Sequence, residues 1–72
     1  MEFFSIKTNE GKRFGFNLTQ DVLANYETFD EMGKPSVRLS LKCKLTGAMR
    51  VVVVHDADVE ALLTGLGVPQ DK

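Results

Sequence analysis

The chain of 72 residues holds one cysteine, one histidine, two prolines and no tryptophan, and each scarcity removes a class of protein. A single thiol, Cys43, excludes an intramolecular disulfide framework. With His55 as the one imidazole, too few soft ligands remain for a structural zinc site. Neither a metal nor another cofactor is expected. Long hydrophobic runs are missing as well. The longest is Val51 to Val54, far short of the roughly 20 apolar residues that cross a bilayer, and no cationic leader with an apolar core opens the chain. The expectation is a protein without membrane association and with a cytoplasmic location. Asn17-Leu18-Thr19 fits a glycosylation sequon, which carries no weight without a secretory signal.

What the chain does contain is globular material, 43% hydrophobic and 26% charged residues, which predicts one packed domain over residues 1–72. At this length only about 60% of the unfolded chain's surface can be buried. A large enclosed active site does not fit such a domain, and an enzyme is not expected. The net charge is −1, but the charges are segregated. Asp21 to Glu31 carries four acids and no base. Lys34 to Arg50 carries Lys34, Arg38, Lys42, Lys44 and Arg50 with no acid.

The hydrophobic pattern predicts the elements. Phe4 and Ile6 alternate with polar residues, Asn9-Glu10-Gly11 supplies turn chemistry, and Phe14, Phe16 and Leu18 alternate again, which describes a β-hairpin. Val37, Leu39, Leu41, Cys43 and Leu45 keep period two in a long half-buried strand, and Thr46-Gly47 turns the chain into Met49 to His55, paired antiparallel with it. Residues 19–32 have helical spacing at Val22, Leu23, Tyr26 and Phe29 but β-prone composition. A strand folded back across a loop at Met32 to Ser36 would set Asp30 opposite Arg38, Thr28 opposite Ser40 and Tyr26 opposite Lys42, with Phe29 and Leu39 sharing the other face. A short helix follows, with Asp56 as its cap and Val59, Leu62, Leu63 and Leu66 as its buried stripe. The expected fold is α+β: a small antiparallel meander or partly closed barrel of about five strands, with the helix on its apolar face.

Lys12-Arg13-Phe14-Gly15-Phe16 resembles the RNA-contacting strand motif of RRM and cold-shock domains, a resemblance that implies stacking of the two phenyl rings on bases. The alternate positions argue for the opposite facing. Arg13, Gly15 and Asn17 cannot make a core, whereas Phe14, Phe16 and Leu18 can. Burying a large apolar side chain stabilises by about 1.5–3 kcal/mol, which so small a domain can hardly forgo. Phe14 and Phe16 are therefore assigned to the core, facing Leu39 and Leu41.

No catalytic residue is assigned. His55-Asp56 has the composition of a general-base pair, but adjacent strand residues point to opposite faces, and Asp56 is better used as a cap. Gly11-Lys12-Arg13 lacks the second glycine and the Lys-Ser/Thr ending of a phosphate loop. Cys43, on the apolar side of its strand, reads as a buried structural thiol. Two binding surfaces remain. If Val51 and Val53 join the core, Val52 and Val54 project to the other face with Tyr26. Those three residues then mark a protein interface. The corresponding function is a non-enzymatic interaction domain, regulatory or inhibitor-like, that binds another protein or itself as a homodimer through a sheet face or edge. The alternative is a single-stranded nucleic-acid-binding domain whose basic stripe of Arg38, Lys42, Lys44 and Arg50 follows a phosphate backbone.

Overall fold

In the computed structural model, which describes residues 2–68, the elements run β1 (Phe3–Lys7), β2 (Arg13–Asn17), β3 (Asp21–Glu31), β4 (Lys34–Cys43), β5 (Met49–Val54) and α1 (Val59–Gly65). The class is α+β. All strand pairs are antiparallel, and they form two sheets, β1-β2 and β3-β4-β5. The segment from residue 19 to 32 is a turn followed by strand, not helix.

The first hairpin pairs Phe4 with Phe16 and Ile6 with Phe14. Directly opposed residues share a face, so four large apolar side chains project to one side. Phe16 is buried, its three neighbours pack half-buried against the same core, and the Phe4 and Phe16 rings stack with centroids 6.3 Å apart. The core assignment of Phe14 and Phe16 agrees with this arrangement. Opposite them stand Val37, Leu39 and Leu41 of β4, all fully buried, together with Val54, Ala57, Leu62, Leu63 and Leu66. The inner face of the three-stranded sheet is thus covered by the hairpin and the helix.

Three expectations need correction, and each has a local cause. The β3–β4 connection is a two-residue turn at Met32 and Gly33, flanked by the pair Glu31↔Lys34, and not a loop from 32 to 36. Both turn residues have positive φ, 52° and 83°, the conformation whose twist matches that of a tight hairpin. The shorter turn moves the register by three positions. Asp30 therefore lies opposite Pro35, Thr28 opposite Val37 and Tyr26 opposite Leu39, with Glu27 facing Arg38. An odd shift exchanges the faces, so Phe29 is opposite Ser36 and on the other side of the sheet from Leu39.

The second correction concerns β5. Val54 lies opposite Val37 and Val52 opposite Leu39. Val54 is 0% exposed and Val52 packs half-buried against the core, so the outward valines are Val51, 60% exposed, and Val53, 36% exposed. Val52 and Val54 therefore face inward. Leu45, expected on the apolar face, lies in the turn before β5 and is 83% exposed.

The third correction concerns the helix start. Its N-cap is Asp58, whose Oδ1 accepts the Ala61 N–H at 3.1 Å. Asp56 instead takes a left-handed backbone (φ 56°) and accepts the Asn9 side-chain and backbone N–H groups, at 2.9 Å each, on its Oδ1 and carbonyl oxygen. This ties the turn of the first hairpin to the β5–α1 junction. The helix ends in a Schellman arrangement, Val68 N–H to the Leu63 carbonyl and Gly67 N–H to that of Thr64, with Gly67 left-handed at φ 94°. Gly65 is held against the first hairpin so closely that a Cβ there would lie 2.2 Å from the Phe4 ring.

Candidate functional site

With the inner face covered, the surface left open is the outer face of the three-stranded sheet. Alternation along the strands and the observed register fix its composition. The central strand β4 contributes Lys34, Ser36, Arg38, Ser40 and Lys42. Val22, Asn25, Glu27, Phe29 and Glu31 come from β3, and Met49, Val51 and Val53 from β5. The surface is therefore polar along its middle and apolar along the β5 side. Val22, Phe29, Met49, Val51 and Val53 are all exposed large hydrophobics.

At one end of this face Ser36, opposite Phe29, is fully buried, and Phe29 lies against His55. The two rings meet edge to face, 6.1 Å between centroids and 84° between planes. His55 Nδ1 lies 3.0 Å from Glu31 Oε1, and the Ser36 hydroxyl donates to the Lys34 carbonyl at 3.2 Å. An open hollow lined by Glu10, Glu31, Met32, Lys34, Ser36 and His55 adjoins this cluster. A second shallow groove runs over Glu27, Phe29, Arg38 and Val53. Among the described residues no group of three His, Cys, Asp or Glu side chains is placed to hold a metal ion.

The basic stripe expected on one strand face is divided by the fold. Arg38 and Lys42 share the outer face, but Arg50 is opposite Leu41 and belongs to the inner side, and Lys44 lies in the turn after β4. Arg38 is ion-paired with Glu27 and Arg50 with Asp21 at 3.3 Å, while Lys44 Nζ donates to the Leu18 carbonyl at 3.2 Å. Among the described residues Lys42 alone of the four has no such partner. Tyr26 is also on the inner side, opposite Leu39, and 40% exposed at the sheet's border. Of the three residues assigned to a protein interface, then, Val54 is inside, Val52 is half-buried on the inner side, and Tyr26 borders that side at the opposite edge from both.

Cys43 is half-buried at the end of β4. A hydrogen bond from the Thr46 side chain, helped by the backbone N–H groups of Thr46 and Leu45, holds its thiol below the ordinary cysteine range; desolvation and the nearby Asp21 charge oppose this.

The two borders of the three-stranded sheet differ in their backbone. Lys44 N–H bonds the Gln20 carbonyl and Cys43 N–H the Ala48 carbonyl, each at 2.8 Å. In an antiparallel ladder bonded pairs alternate, so the even residues of β4 bond toward β3 and the odd ones toward β5. The outward N–H and C=O groups are therefore those of Tyr26, Thr28 and Asp30 on β3 and of Met49, Val51 and Val53 on β5. The signal for Val51 and Val53 was present in the sequence but degenerate, because four identical side chains carry no alternation. No helix among the described residues is long and apolar enough to cross a membrane. No protein-family model matches the chain, and no curated protein and no solved structure matches it either.

Proposed function

We propose that this chain is a small non-enzymatic protein-interaction domain, cytoplasmic and regulatory in character, whose contact surface is the β5 side of the outer sheet face. The observation that carries the reading is the gathering of exposed Met49, Val51 and Val53 along one border of a face that no other element among the described residues covers. Small soluble domains keep contiguous apolar surface to a minimum, and a rimmed apolar patch favours a protein partner. The neighbouring Arg38 and Glu27 neutralise each other beside it, which suits a rim that orients a partner without demanding one charge sign.

A phosphate-binding role draws less support, since Arg38 and Arg50 already engage carboxylates of their own chain on opposite sides of the sheet. The test is sedimentation velocity of the purified chain together with affinity capture from its native extract, each repeated with Val51→Lys. Burying a lysine at the centre of such a contact should weaken any complex at least about tenfold. A wild-type chain that stays monomeric and captures nothing would overturn the reading.

A further inference from the structure

The partner chemistry can be narrowed from the backbone of β5. Among the described residues this strand is a sheet border with no strand beyond it, and its sequence, Met49-Arg50-Val51-Val52-Val53-Val54, contains no acid, no proline and no glycine. The devices that normally blunt such a border are charged side chains, prolines, bulges and covering loops. Only Arg50 could serve, and its guanidinium turns to the inner side, onto Asp21 of the same chain.

We infer that β5 pairs antiparallel with β5 of a second copy of this chain, about a twofold axis between the two Val51 residues, to form one sheet of order β3-β4-β5-β5′-β4′-β3′. This rests on the interaction reading above and specifies its partner and its geometry. Two constraints limit the register. The residues whose N–H and C=O point outward are Met49, Val51 and Val53, so these must meet one another as bonded pairs. A twofold axis perpendicular to the sheet also requires opposed residues to lie on the same face, which permits only an even sum of residue numbers.

Centring on Val51 sets Val51 against Val51′ and Met49 against Val53′, so every bonded pair is apolar on its outer side. Centring one residue later would oppose Met49 to His55′ and leave fewer apolar pairs. On the inner side Arg50 falls opposite Val52′ while remaining on its own Asp21. A second copy is favoured over a foreign strand because β5 is complementary to itself in this register: Val51 meets Val51′ and Met49 meets Val53′, and the one charge on the strand, Arg50, is already paired with Asp21 and calls for no opposite charge. The two outer faces become continuous, which joins Met49, Val51 and Val53 of both copies into one apolar strip.

The test separates backbone pairing from side-chain contact. Val51→Pro removes only the outward N–H, since the bonds of β4 to β5 go through even-numbered β5 residues, and proline is tolerated on a border strand. The expected result is a dimer for the wild type in sedimentation and a monomer for Val51→Pro with an unchanged far-ultraviolet spectrum. Val52→Pro, which breaks the internal ladder, should lose that spectrum. In a Cys43→Ser background, Val51→Cys should give a reducible covalent dimer under mild oxidation, because bonded antiparallel pairs hold their Cα atoms about 5.5 Å apart, within disulfide reach. Val22→Cys, on the far border, should not. A wild-type dimer that survives Val51→Pro and fails to cross-link at residue 51 overturns the β5 pairing and leaves the interaction reading standing. A wild-type chain that is monomeric at all concentrations overturns the pairing outright, and capture from the native extract then decides the interaction reading separately.

Discussion

The two borders of the three-stranded sheet are built to opposite rules. β3 is long, 11 residues, and carries Asp21, Glu27, Asp30 and Glu31. Its register slips between Leu23 and Asn25, and the Asn25 side chain accepts the outward Tyr26 N–H at 2.8 Å. A second β3 approaching this border would meet like charge, an interrupted ladder and a donor already satisfied. β5 is short, 6 residues, uninterrupted and rich in valine. One border is guarded and the other is left open. The contrast teaches that the acid block and the valine run, which are 20 residues apart in sequence, are two halves of one arrangement: a sheet that can extend in one direction only.

The largest effect should come from the strand that both borders depend on. Leu39, fully buried at the centre of β4 between Tyr26 and Val52, has no room to be replaced by a smaller side chain without a void. Leu39→Ala should cost about 2–5 kcal/mol, most of the stability of a domain this size, and chemical denaturation should show it as a lowered midpoint. A variant that keeps the wild-type midpoint would mean that the two borders are not held together through this core.

A smaller effect is expected from disarming the guarded border. Glu27→Gln, Asp30→Asn and Glu31→Gln together remove three charges from β3 while preserving side-chain shape and the acceptor that Asp30 offers to the Gly33 N–H at 3.1 Å. With both borders open, pairing no longer closes after two copies, and light scattering should register growth into larger species at concentrations where the wild type stays small. No growth would show that the bulge and the capped N–H protect β3 without help from charge.

The smallest effect is chemical. The thiol of Cys43 lies just ahead of the turn into β5, and the hydrogen bonds from Thr46 and Leu45 favour its thiolate. Its alkylation rate should therefore rise with pH and reach its half-maximum below the ordinary cysteine value. Thr46→Val, which removes the leading hydrogen bond, should move that half-maximum upward. An unchanged profile would assign the shift to the backbone groups alone.

Much of the fold was legible because alternation is unambiguous wherever polar and apolar residues take turns. Val37, Leu39 and Leu41 declared the inner face of β4, and Asn17 showed which way Phe14 and Phe16 point. The register of β3 on β4 was not legible in the same way. It depends on Met32 adopting positive φ, which a non-glycine residue seldom does, and a sequence gives little reason to prefer Met32-Gly33 over a longer loop that includes Pro35. The facing of β5 was hidden for a different reason: in a run of four valines a slip of one residue changes no side chain, so only the turn from Cys43 to Ala48 decides which pair goes inside. The outward valines are consequently Val51 and Val53, where the pattern alone had offered Val52 and Val54.

The contact between Gly65 and Phe4 has a consequence for how this sequence can vary. Glycine within a helix costs about 1 kcal/mol relative to alanine, so drift would ordinarily replace it. Here even a methyl group would meet the phenyl ring at 2.2 Å, so that ring, stacked on Phe16, would have to shift to admit it. In a library of variants selected for folding, glycine should be the most enriched residue at position 65. A larger residue should enter it only in company with a smaller one at position 4. The same library should show those two sites changing together.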